Sequence, residues 1–97
     1  MSREKGDILE DLVAHALGIN KTTNSGAKFD NADLTNRQLI IECKVKSKEN
    51  FQPCGSEIKK LIAQAKKHSK EWIYIQENLS GKFVVIDWEY FLELFQQ

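Results

Sequence analysis

The chain has little of the material from which membrane-spanning, disulfide-stabilised and zinc-binding proteins are built. Its 97 residues include two cysteines and one proline, and they contain no CxxC or HxxxH spacing. Two cysteines are too few for a disulfide framework, so we expect a reduced, intracellular protein of the cytoplasm. No apolar run approaches the ~20 residues of a membrane-spanning helix, and the opening residues MSREKGD do not resemble a signal peptide.

A net charge is also missing, because the 14 basic residues are balanced by 14 acidic ones. A basic balance is typical of nucleic-acid-binding proteins, so the composition argues against such a partner unless the charges are segregated in space. A length of 97 residues with 41% hydrophobic residues fits one globular domain that covers residues 1–97.

The most informative segment is the run LIIECKVK at residues 39–46, which predicts a strand that changes character at Glu42 and Lys44. Because side chains alternate along a strand, these two residues share a face with Ile40, while Cys43 lies on the opposite, core-facing side. A carboxylate and an ammonium at the end of a buried strand cost desolvation energy unless something uses them. The same spacing occurs in exposed ion pairs, so the segment alone leaves both interpretations open.

A tight turn at Asn36 and Arg37 would bring a second carboxylate to this face. With these two residues as the loop, Asp33 pairs with Ile40, and Asp33 and Glu42 become diagonal neighbours ~7–8 Å apart. Two carboxylates at such a distance repel each other. A divalent cation would compensate them, and Mg²⁺ prefers oxygen ligands of this kind.

The remaining segments predict helices and strands around the hairpin. In chain order these are a helix over residues 3–17 that Gly18 ends, a polar loop with a short strand at 27–29, the hairpin, a helix over 57–69 capped by Ser56, strands at 71–76 and 82–86, and a helix capped by Asp87. The predicted fold is α/β (α+β mixed), in the order α-β-β-β-α-β-β-α. It has a central mixed sheet of four to five strands flanked by helices, and the strands that carry Glu42 and Trp72 are parallel.

Several side chains outside the hairpin are candidates for a function or for a solvated surface. Lys44 would orient a water molecule or stabilise charge on phosphoryl oxygens, and its pKa is expected to be depressed beside a metal. The backbone carbonyl of Cys43 would complete the metal coordination. Glu10 on the first helix fits an ordinary solvated carboxylate equally well. The lysines of the second helix suit either a solvated surface or a phosphate backbone.

Motifs spread over most of the chain carry a family resemblance. They are Arg3-x-Lys5-Gly6-x-x-x-Glu10 in the first helix, Ser25-Gly26-Ala27 in the loop, Asp33, Glu42-Cys43-Lys44, and Gln64 in the second helix. On these residues the chain resembles the PD-(D/E)XK nuclease superfamily, and within it the archaeal and phage Holliday-junction resolvases. The family proline before the aspartate is replaced by Ala32, and Asp30 would compete for the role of metal ligand in a different register.

The resemblance implies a restriction-endonuclease-like core and a Mg²⁺-dependent, structure-selective DNA endonuclease, with Mn²⁺ as a substitute. It implies Glu10, Asp33 and Glu42 as Mg²⁺ ligands or organisers of the metal site. It further implies Lys44 as the catalytic lysine, and Gln64 as a residue that orients a water molecule or a ligand. The residues expected near DNA are Arg3, Lys5, Ser25, Lys28, Lys46, Lys60 and Lys67. Products would carry 5′-phosphate and 3′-hydroxyl ends.

Symmetric cleavage of a four-way junction requires a C2 homodimer, for which the apolar final helix or the Trp72 strand would supply the interface. Other functions stay open. One is a different nuclease of the same superfamily, with a repair or restriction role. Another is a non-catalytic nucleic-acid-binding or protein-binding module that retains the fold. A third is a small structural protein in which the charged residues form a surface ion network, and the zero net charge fits it best.

Overall fold

Three helices and four strands make up the described part of the chain, which in this computed structural model covers residues 5–21, 33–53 and 55–96. They are α1 (Lys5–Leu17), β1 (Leu34–Thr35), β2 (Leu39–Val45), α2 (Gly55–Lys67), β3 (Glu71–Asn78), β4 (Gly81–Ile86) and α3 (Trp88–Phe95). The predicted mixed sheet with flanking helices is confirmed, with four strands among these residues. The strand predicted at 27–29 lies outside them.

The sheet has the strand order β1-β2-β3-β4, in which β2 and β3 run parallel and the other two pairs are antiparallel. The parallel ladder runs from Leu39 opposite Glu71 to Val45 opposite Glu77, which confirms the prediction for this pair. A parallel pair needs a crossover connection, and α2 provides it. Since β3 lies between β2 and β4, the Trp72 strand has no free edge that could pair with a strand of a second copy.

Two apolar clusters confirm the predicted alternation along residues 39–46. Ile41 and Cys43 pack with Leu9 of α1 on one face of the sheet. Ile40 packs on the other face with Leu61 of α2. Burial of these side chains fixes which face of β2 is turned toward each helix, because a strand rotated by one residue would expose the whole set.

The β1–β2 hairpin has a different register from the predicted one. Thr35 lies opposite Ile40, so continuing the ladder past β1 sets Asp33 opposite Glu42 and no longer opposite Ile40. The cause is Asn36, whose Oδ1 accepts hydrogen bonds from the backbone N–H groups of the residues two and three positions later, at 2.8 and 2.7 Å. Asn36 thus takes the first position of the turn, and the two loop residues are 37 and 38 in place of the predicted 36 and 37. The pairing shifts by two residues, an even number, so Asp33 keeps its predicted face.

The helix boundaries are partly as predicted. Gly18 has a φ of +67° and ends α1, and the N–H of Ile19 donates to the carbonyl of Ala14 at 3.0 Å. By contrast, α2 begins at Gly55, so Ser56 lies inside its first turn and is not the predicted cap. The helix starts two residues after Pro53, whose fixed φ suits the entry to a helix. None of the helices in the described part of the chain is long and apolar enough to cross a bilayer.

The final helix α3 has an apolar face that no other element of the described chain covers. Asp87 caps it as predicted, accepting a hydrogen bond from the N–H of Tyr90 at 3.2 Å. Trp88 and Phe95 are 64% and 74% exposed, so their side chains lie outside the core. Their rings pack instead on Phe91, with centroids 5.8 and 4.8 Å away. Amphipathic periodicity identifies an apolar face without telling whether the chain itself covers that face.

Candidate functional site

An open pocket of about 850 Å³ lies where β2 and β3 end and α1 begins. Its lining includes the charged residues Lys5, Glu10, Asp33, Glu42, Lys44, Lys46 and Glu77. The pocket therefore gathers side chains from α1, from the residue before β1, and from β2 and β3. Carboxylates and ammonium groups share its walls, which is the mixture that a cation and a phosphate together require.

Three carboxylates of the pocket act on one another electrostatically. Burial raises the pKa of Glu42 to about 7, and the charge of Asp33 adds to the increase while Lys44 opposes it. The pKa of Glu10 is also raised, first by burial and then by the charge of Asp33. Lys21 partly compensates Glu10 from 3.6 Å. Negative charge is therefore in excess at this point, and ionisation of the cluster costs free energy until a cation or a proton arrives.

The position of Asp33 is fixed through the backbone of β2. Its Oδ2 accepts a hydrogen bond from the N–H of Cys43 at 2.8 Å, which leaves Oδ1 for another ligand. The N–H and C=O of one strand residue point toward the same neighbouring strand, so the carbonyl of Cys43 is directed to the Asp33 side as its N–H is. The thiol faces the core, and burial followed by the charge of Asp33 raises its pKa to about 12. It therefore stays protonated and is no nucleophile.

Lys44 lies between two carboxylates. Its Nζ is 3.8 Å from Glu42 Oε2 and 3.4 Å from Glu57 Oε2, the latter on the first turn of α2. Burial alone would lower the pKa of Lys44, but the charges of Glu57 and Glu42 outweigh it, so that this pKa is raised. The depression of this pKa beside a bound metal stays a prediction. The ammonium is held in its charged form, which suits contact with phosphoryl oxygens better than proton transfer.

The donor set fits a partly hydrated divalent cation. Among the described residues, no three His, Cys, Asp or Glu side chains already form a group arranged to hold a metal. Mg²⁺ does not need one, because it keeps several waters and is commonly bound through one or two carboxylates. Oδ1 of Asp33, the carboxylate of Glu42 and the carbonyl of Cys43 are oxygen donors of this kind.

The structure brings together some of the predicted site residues. Glu10, Asp33, Glu42 and Lys44 line one pocket, and so do Lys5 and Lys46. Gln64 does not line it, since this side chain lies two helical turns beyond Glu57.

The other predicted DNA contacts fall outside the pocket or outside the described residues. Lys60 and Lys67 are exposed on α2. Arg3, Ser25, Lys28 and the competing Asp30 lie outside the described residues. Glu57, by contrast, was not among the predicted site residues. Its signal in the sequence is a lone carboxylate at the start of an otherwise basic helix, which does not tell that it reaches β2.

Comparison with known proteins shows similarity to a solved structure. No protein-family model matches the chain, and no curated protein matches it. The solved structure of Hjc, a Holliday junction resolvase of the archaeal hyperthermophile Archaeoglobus fulgidus, is similar to it with a TM-score of 0.62. The similarity covers 81% of this chain and 73% of that one at 17% sequence identity. At this identity the match establishes a shared fold.

Proposed function

We propose that the protein is a Mg²⁺-dependent, structure-selective DNA endonuclease that hydrolyses phosphodiester bonds. The observation that carries this proposal is the carboxylate cluster of Asp33 and Glu42, joined by Lys44 in an open pocket. The pKa of Glu42, raised to about 7 by burial and by Asp33, marks a site that holds more negative charge than it can neutralise by itself. Similarity to the fold of a junction resolvase supports the same reaction class.

The residues divide the chemical work between binding and charge stabilisation. Asp33, Glu42 and the carbonyl of Cys43 would hold the Mg²⁺, and Mn²⁺ would substitute for it. When bound, such a cation polarises the phosphate and lowers the pKa of a bound water. Glu10 lines the same pocket and would add a third carboxylate beside Asp33. Lys44 stays charged and offers its ammonium to the phosphoryl oxygens or to the attacking water.

The surface charges are segregated in a way that suits DNA. Lysines 59, 60, 66 and 67 are exposed on α2, whose one acidic residue is Glu57. α3 carries Glu89 and Glu93 and no basic residue in its last turn. A net charge of zero therefore conceals a basic helix and an acidic one. We propose that α2 contacts the phosphate backbone together with the pocket residues Lys5 and Lys46.

We further propose that the substrate is a four-way junction and that a C2 homodimer cuts it, with α3 as the interface. Trp88 and Phe95 are 64% and 74% exposed and Phe91 is 37% exposed, so the three side chains would together cover about 300–400 Å². That is a sizeable share of the ~800 Å² that a standard interface buries per partner. The acidic residues beside this face would repel DNA, so a protein partner suits it, and a second copy satisfies the symmetry of the reaction.

The deciding experiment incubates the protein with a labelled four-way junction in Mg²⁺, in Mn²⁺ and in EDTA, beside linear duplex and flap substrates. We expect cleavage of the junction with either metal and none in EDTA, with ends that a ligase rejoins. Asp33→Asn is the matched inactive control, since it keeps the shape of the side chain. Equal cleavage of all substrates would favour a repair or restriction nuclease. Binding without cleavage would favour a non-catalytic module and refute the nuclease proposal.

A further inference from the structure

Two polar side chains stand beside Lys44, and each has a buried atom without a partner in hydrogen-bond geometry. They are Glu57, through Oε2, and Gln76, through Nε2. Gln76 stands opposite Lys44 in the parallel ladder. Folded proteins rarely leave buried polar atoms unpaired, and the group within reach of Glu57 Oε2 is the Lys44 ammonium at 3.4 Å.

Glu57 is the closest charged partner of Lys44. Their charged atoms are 3.4 Å apart, whereas Glu42 Oε2 is 3.8 Å from the same nitrogen. The side chain of Lys44 is 41% exposed, and a lysine stem left free samples many rotamers. Competition between two carboxylates therefore decides where the ammonium stays.

The position of Glu57 restricts the motion of its carboxylate. It lies in the first turn of α2, where the backbone N–H groups favour a negative charge. Ile58 and Leu61 pack this end of the helix on the sheet. Its side chain is 30% exposed, less than that of Lys44. A partly buried carboxylate on a docked helix loses little freedom when it binds an ammonium.

We infer that Glu57 is a positioning residue for Lys44, an inference that rests on the proposed nuclease function. Glu57 holds the ammonium beside the pocket and draws it off Glu42. Without that contact, Lys44 would pair with Glu42 alone and compete with the cation for its carboxylate. Glu57 thereby leaves the Lys44 ammonium available to the phosphate and the Glu42 carboxylate available to the metal.

The neutral residue beside Lys44 supports this arrangement. Gln76 is fully buried, and its Oε1 accepts a hydrogen bond from the hydroxyl of Tyr74 at 2.8 Å. That bond fixes the amide and leaves Nε2 as the free donor. An amide nitrogen offers Lys44 no acceptor, so the ammonium is not diverted toward β3 and is left to the two carboxylates.

The first measurement is the mobility of Lys44, which needs neither DNA nor metal. Carbon-13 relaxation of its Cε is compared in the wild type, in Glu57→Gln and in Glu49→Gln. The last variant removes the same charge from an exposed side chain. We expect a lower order parameter of the Lys44 Cε in Glu57→Gln and no change in the control. An unchanged order parameter in Glu57→Gln would overturn the inference.

The second measurement separates the rate of cleavage from binding. In single-turnover cleavage of the junction, Glu57→Gln should lower the rate about tenfold, while the DNA dissociation constant changes less than twofold. In a Lys44→Met background the same substitution should change nothing, because the group on which it acts is gone. An equal loss in both backgrounds would show that Glu57 acts independently of Lys44 and would overturn the inference.

Two further outcomes distinguish a failure of the inference from a failure of the proposed function. A wild type that cuts DNA normally while Lys44 is equally mobile with and without Glu57 overturns the inference alone. A wild type that cuts no DNA overturns the proposed function, and with it the catalytic role of Glu57. Should Glu57→Gln lower the stability of the fold, Glu57→Asp keeps the charge and shortens the reach, and it should restore part of the rate.

Discussion

Replacing Glu42 by glutamine should make the isolated protein more stable at neutral pH while it removes the proposed activity. Glu42 is mostly buried and faces Asp33, and together these raise its pKa from 4.5 to about 7. Ionised glutamate is therefore less favourable in the folded protein than in the unfolded chain. Glutamine has the same shape and no charge, so it lifts this penalty and keeps the packing of β2.

The magnitude follows from proton linkage. Below about pH 4 both states carry a protonated Glu42 and the residue has no effect on stability. As the pH rises from 4.5 toward 7 the unfolded chain loses its proton first, so the folded state becomes less stable over this window. Above pH 7 the penalty is constant. A shift from 4.5 to about 7 corresponds to about 3–4 kcal/mol, at ~1.4 kcal/mol per pKa unit.

Urea denaturation in EDTA measures this effect at pH 5 and at pH 8. The free energy of unfolding of Glu42→Gln should exceed that of the wild type by only about 1 kcal/mol at pH 5 and by about 3–4 kcal/mol at pH 8. Glu49→Gln, at an exposed position, should leave it nearly unchanged. Mg²⁺ should then stabilise the wild type and not the variant. A variant less stable than the wild type at pH 8, or a difference that does not grow with pH, would refute the reasoning.

Three further predictions concern the lysines and α3. Lys44→Ala should lower the single-turnover cleavage rate far more than the DNA affinity, and an equal loss of both would point to simple phosphate binding. Lys60→Ala and Lys67→Ala should each weaken DNA binding and reduce the slope of log affinity against log salt by about one; a slope that stays unchanged would remove α2 from the interface. Trp88→Glu should convert a dimer into a monomer in sedimentation experiments, because it places a charge in the apolar face, and a wild type that sediments as a monomer would contradict this interface.

The sequence predicts the faces of β2 well, because alternation with a period of two depends only on backbone geometry. It does not predict the pairing register of the hairpin. That register depends on whether the Asn36 side chain accepts hydrogen bonds from the residues after it, which is a matter of local conformation. The predicted register is wrong by two residues, an even number, so Asp33 still lies on the same face as Glu42.

Sequence patterns do not predict which side chains of distant elements come into contact. Glu57 and Lys44 are thirteen positions apart, and their ion pair exists because α2 docks its first turn over β2. Gln64 shares the helix and the polarity of Glu57, yet it lies two turns too far along. Likewise, the sequence shows the apolar pattern of α3. Whether that apolar face is buried depends on how the helix is oriented after β4, and here the face is exposed.

The unequal ladders on the two sides of β2 have a consequence for how the pocket persists in time. Glu42 and Lys44 stand on a strand that seven residue pairs bind to β3, whereas β1 pairs through two residues. Local opening is cheapest where the fewest backbone hydrogen bonds break. Asp33 can therefore leave and return in brief fluctuations while the other half of the pocket stays in place. The protein is then an equilibrium of two forms, one in which all the oxygen donors line the pocket and one in which the Asp33 carboxylate is displaced from it.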